Sequence, residues 1–135
     1  MNREDLYKCR SIEMGIRSMQ EIYEMKFNQA VKTTQTLSDM PKALNKVKYE
    51  LEELIDFYDE KIRKKQLEFN ELTMGIEKQL DKMKDERHIS VLRYYYLCGL
   101  SVKDTAEKMS YEEKYTNKLK TDAIDEFEIY DTKSH

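Results

Sequence analysis

The chain has 135 residues, 38% of them charged and 39% hydrophobic, with three glycines and one proline, so helix formers dominate and strand and turn chemistry is scarce. That length excludes two large domains, and the balance predicts an all-α protein. A net charge of −3 excludes a globally basic nucleic-acid-binding surface, so any DNA contact must come from a local patch.

From residue 2 to about residue 33, Leu6, Cys9, Ile12, Ile16, Met19, Tyr23, Phe27 and Ala30 recur at steps of three and four. This spacing predicts one long helix with a single apolar stripe. The stripe runs into residues 33–41, TTQTLSDMP, which are rich in groups that cap or leave helices. A loop is expected there, with Ser38 or Asp39 as the cap and Pro41 in the first turn of the next helix.

Residues 42 to 83 place Ile55, Ile62, Phe69, Ile76 and Met83 at seven-residue steps, with Leu51, Tyr58 and Leu72 on the companion row. This is a heptad seam on a helix about 60 Å long, along which the first helix can fold back. Lys65 and Gln79 interrupt the companion row, a pattern that can fix register or partner choice. Residues 1–84 are therefore expected to form a long antiparallel, coiled-coil-like helical hairpin. The seam either closes that hairpin or leaves apolar surface for a second copy, making a homodimer.

Ile89, Val91, Leu92, Tyr95, Tyr96 and Leu97 supply the broad apolar face of a helix of about three turns that Gly99 ends. Ser101 and Asp104 have capping-box spacing, so a short helix should follow through Thr105, Ala106 and Met109. After an interruption at Ser110 and Tyr111, the apolar positions Leu119, Ala123 and Phe127 predict a last helix to about Glu128, followed by a frayed tail over 130–135. Small Ala106 stands where two steeply crossing helices approach each other. Thr105, Met109, Tyr111, Thr116 and Leu119 fill the space behind them, as in a helix-turn-helix.

The segment VLRYYYLCGLSVKDTAEKMSYEEKYTNKLKTDAIDEF, Val91 to Phe127, resembles region four of bacterial sigma factors. In layout the whole chain resembles the small phage-encoded transcriptional regulators of Gram-positive hosts, the ArpU-like and related families. The resemblance implies a helix-turn-helix over 85–129 and promoter reading in the major groove by Glu113, Lys114, Asn117 and Lys118, with Thr121 one turn further along. Lys103 and Lys120 are placed to meet phosphate, which positions a protein without specifying sequence. Double-stranded DNA is the implied partner, with host RNA polymerase or a sigma factor beside it, in the bacterial cytoplasm. The segment departs from the family at Thr105 and Thr116, where Ile or Val is usual, at Ser110 for the turn glycine and at Glu112 for the capping Ser or Thr. The threonines can each bond a carbonyl one turn back, and Ser110 with Glu113 can form a second capping box.

Charge argues in the other direction. Residues 1–84 hold 16 basic and 16 acidic side chains, whereas residues 85–135 hold 8 against 11. Glu112 and Glu113 stand where a helix N-terminus usually welcomes phosphate. The alternative reading is a helix-turn-helix turned to gripping protein, in a phage factor that inhibits or redirects a host protein.

Only two histidines and no glycine-rich phosphate loop are present, so no enzyme, cofactor or metal is expected, and His88 reads as a solvated or capping residue at a helix end. Residues 94–96, all tyrosine, read as core packing with one or two exposed hydroxyls rather than as a base-stacking platform. Cys9 and Cys98 fall among helix-spaced apolar residues and read as buried or half-buried thiols. With no leader and no apolar run near the roughly 18 residues of a membrane span, a soluble intracellular protein is expected.

Overall fold

A computed structural model describes residues 1–35 and 42–132, and every regular element among them is helical. The elements are α1 (Arg3–Gln35), α2 (Lys42–Leu80), α3 (Glu86–Leu92) passing directly into a π-helical segment (Arg93–Leu97), α4 (Val102–Met109) and α5 (Glu113–Ile129). The loop and cap expected at Ser38, Asp39 and Pro41 lie outside the described residues. No described helix is long and apolar enough to cross a membrane.

The chain divides into two compact units, Met1–Met14 with Glu68–His135, and Gly15–Leu67. The boundary placed at residue 84 from sequence thus falls inside the first unit, because both ends of the expected hairpin pack with everything after it. The core of this unit joins Leu6 and Cys9 of α1, Ile76 and Leu80 of α2, Ile89, Val91 and Leu92 of α3, and Leu119, Ala123 and Phe127 of α5. Within it α1 and α2 run antiparallel: Met1 meets Gln79, while Cys9 lies 3.7 Å from Thr73 and Lys8 pairs with Glu68.

Gln79, read from sequence as an interruption of the seam, is buried and fully used. Its Oε1 accepts from the Met1 ammonium at 2.9 Å, and its Nε2 donates to the carbonyls of Met1 at 2.7 Å and Phe127 at 2.8 Å. One amide therefore ties the starts and ends of three helices, satisfying groups that would be costly to bury alone.

In the second unit the sequence stripe survives in part. Ile16 is buried and Met19, Tyr23, Ala30, Leu51, Ile55, Tyr58 and Ile62 are half-buried. Phe27 departs from it: the ring is 48% exposed and stacks on Tyr23, one turn back on the same helix. The outer surface carries i,i+4 ion pairs such as Asp59 with Arg63 and Glu60 with Lys64.

Candidate nucleic-acid interface

The first unit sets up the last two helices through local chemistry. Asp85 caps α3 by accepting from the Arg87 amide at 2.9 Å, and the Arg87 side chain holds the Asp85 carboxyl below its ordinary range. The expected three-turn helix over 86–98 is not uniformly α: from Arg93 it widens to π, with the Cys98 amide donating to the Arg93 carbonyl at 2.8 Å. Arg93 fixes the start of this segment by a fork onto both Glu77 oxygens, each at 2.8 Å. From α1, Arg10 donates to the Tyr95 carbonyl and, at 2.8 Å, to the Leu100 carbonyl, giving the widened end a charged donor. Gly99 then takes φ of 70°, the left-handed conformation that ends the helix cheaply.

Ser101 caps α4 by accepting from the Asp104 amide at 3.0 Å, as its spacing predicts. Ala106 is buried, and the chain breaks at Ser110, which is left-handed at φ 61° and whose turn is closed by the Tyr111 amide on the Ala106 carbonyl. Ser110 is therefore the C-cap of α4 and not the N-cap of α5, which corrects the second capping box. The residue at the α5 N-cap is Glu112, and no side chain caps that end. The carboxylates of Glu112 and Glu113 do not close the first turn of α5 from within.

The two threonines behave differently. Thr116 donates to the Glu112 carbonyl at 2.8 Å, as expected, but the hydroxyl of fully buried Thr105 has no hydrogen-bond partner. His88 also departs from its reading. Its side chain is only 16% exposed, with Nδ1 2.8 Å from Glu126 and Nε2 3.6 Å from Asp85, so it bridges the start of α3 to α5 rather than meeting solvent. Cys9 is buried, whereas Cys98 is exposed instead of half-buried.

Glu113, Lys114, Asn117, Lys118 and Thr121 are all exposed on α5, and Lys103 is exposed in the first turn of α4. Lys114, Lys118 and Thr121 lie at steps of four and three and share one ridge, with Asn117 beside them. Opposite that ridge Thr116, Leu119, Ala123 and Phe127 are buried. Lys120 stands apart from the group: it is half-buried, with its ammonium 4.2 Å from the centre of the Tyr95 ring. Tyr111 and Tyr115 pack edge to face at 5.0 Å at the head of α5, and Arg87 donates to the Tyr115 hydroxyl at 2.7 Å.

Sequence reasoning missed a groove of about 650 Å³ between α1, the π-helical segment and α5. Arg3, Tyr7, Arg10, Tyr95, Tyr96 and Lys120 are among its walls. The tyrosine run was the available signal. Arg10 gave none, because it lies off the apolar stripe of α1 and its partners are some 85 to 90 residues away.

No protein-family model, no curated protein and no solved structure matches this chain.

Proposed function

We propose that the chain is a DNA-binding transcriptional regulator of the phage type, in which α4 and α5 form a helix-turn-helix and α5 enters the major groove. One observation carries the reading: the chain breaks at Ser110 and presents Lys114, Asn117, Lys118 and Thr121 together on the solvent side of a separate final helix. Asn117 has the chemistry to pair bidentately with adenine and Lys118 to donate to guanine, each worth about 1–3 kcal/mol of discrimination. Lys114 and Lys103 meet phosphate, and the open amides at the start of α5 add to that contact. Residues 112–122 hold three acids and three lysines, so a single module binds weakly. A homodimer formed through residues 15–67 restores affinity by linking two modules. Exposed Met25, Val47, Tyr49, Phe57 and Leu67 in that unit support this pairing. Host RNA polymerase or a sigma factor is the proposed second partner, in the bacterial cytoplasm.

Selecting bound duplexes from a random pool and then measuring Asn117→Ala with Lys118→Ala tests the reading. The double variant should lose tenfold or more in affinity for the selected sequence, with helicity and melting unchanged; equal binding contradicts it. The acidic balance of residues 85–135, 8 basic against 11 acidic, supports the alternative of a protein-binding module that inhibits or redirects a host protein. That reading predicts no duplex bound at low salt.

A further inference from the structure

We propose that the groove between α1, the π-helical segment and α5 is a binding site for a small organic anion with a planar aromatic body, of about mononucleotide size. The inference goes beyond DNA recognition and does not rest on it.

Size and lining come first. A volume of about 650 Å³ lies within the range of small-molecule sites, which are mostly apolar and aromatic with a few convergent polar groups. Here the aromatic walls are Tyr7, Tyr95 and Tyr96, with Tyr7 and Tyr96 5.9 Å apart and Tyr95 edge-on to Tyr96 at 4.8 Å. No carboxylate lines the groove.

Charge decides the sign of the ligand. Arg10 lies 3.9 Å and Lys120 4.2 Å from the centre of the same Tyr95 ring. Among the described residues neither has a carboxylate within ion-pair distance: Arg10 spends one nitrogen on two carbonyls, and Lys120 has only the ring. Two cations set against one ring give this wall a positive potential that an anion in the groove would meet favourably. This is notable in a part of the chain whose overall balance is acidic.

Tyr96 supplies the independent observation. The residue is 3% exposed as a whole and lines the groove, and its hydroxyl, which has no hydrogen-bond partner among the described residues, is not sealed from solvent. Tyr7, Tyr95, Arg10 and Arg3 are walls of the same groove. Burial pushes the ionisation of Tyr96 far up, so it is a neutral donor at every physiological pH. An uncommitted hydroxyl on the groove wall is a donor that an anion drawn in by Arg10 and Lys120 can use. The aromatic body would then lie against Tyr7 and Tyr95.

Calorimetric titration of the full chain with adenosine 5′-monophosphate, uridine 5′-monophosphate and phenyl phosphate, with adenosine and inorganic phosphate as half-ligands, tests this. At least one aromatic anion should bind, at least tenfold tighter than either half-ligand. Lys120→Met and Tyr96→Phe should each weaken it about tenfold, with melting unchanged. Asn117→Ala with Lys118→Ala, which cripples the proposed DNA contact, should leave it intact. Two results overturn the proposal: none of the three anions binds, or the two groove variants bind as the parent does.

Discussion

Thr105 shows how much one hydroxyl decides. It is wholly buried, its hydroxyl is unpaired, and it sits where α4 packs on its neighbours. Leaving a buried donor unsatisfied costs about 1–3 kcal/mol, whereas replacing it by a methyl of the same shape removes that cost. Thr105→Val should therefore stabilise the protein by about 1–2 kcal/mol, read as a higher midpoint in denaturant with an unchanged slope. Thr116→Val should not, because its hydroxyl already bonds the Glu112 carbonyl. Both threonines looked alike in sequence, since a hydroxyl one turn behind a carbonyl is available to either. Which of them uses it depends on rotamer and packing, and the sequence carries neither.

At the scale of elements, the start of α5 answers the tension between its glutamates and DNA. The end of this helix has no side-chain cap, and both Glu112 and Glu113 are exposed. Their charges interact favourably with the helix dipole, by about 0.3–1 kcal/mol each, and unfavourably with any phosphate brought to the same place. Replacing both by Gln should lower stability slightly and tighten duplex binding several-fold. Unchanged or weaker binding by the double Gln variant would show that α5 does not meet DNA with this end. The breaks that define α4 and α5 were legible because their causes are local: Ser101 caps, Gly99 turns left-handed, and Ser110 takes the left-handed position that glycine usually holds. The π-helical segment was not legible, because its supports, Arg10 and Glu77, reach it from α1 and α2. Gln79 was visible only as a fault in a heptad; its use as a buried connector needs partners from both ends of the chain.

For the molecule as a whole, the all-α class and the long helices follow from composition and periodicity. The division into units does not, because Ile55, Ile62, Phe69 and Ile76 keep their seven-residue step across residue 67, and the break in the companion row at Lys65 reads as a matter of register rather than as a boundary. Acid stability follows from the ion pairs of the first unit. The Arg3 side chain holds the Glu128 carboxyl below its ordinary value of 4.5, and Arg87 holds Asp85 below 3.8. A carboxylate with a depressed folded value stabilises the native state above its unfolded value and loses that contribution as pH falls through the folded one. Stability should thus decline as pH falls below 4.5, and Glu128→Gln with Asp85→Asn should flatten that decline. An acid limb as steep in the double variant as in the parent would show that other carboxylates set it.

The central claim is that the final helix reads DNA. It is tested most directly by the salt dependence of affinity for the selected duplex, between about 50 and 200 mM, by fluorescence anisotropy. If Lys103 and Lys114 neutralise phosphates, the logarithm of the binding constant should fall linearly with the logarithm of salt concentration, at a slope of about −0.9 per phosphate contacted. Failure to bind any duplex at the lowest salt, or an affinity indifferent to salt, would contradict the account.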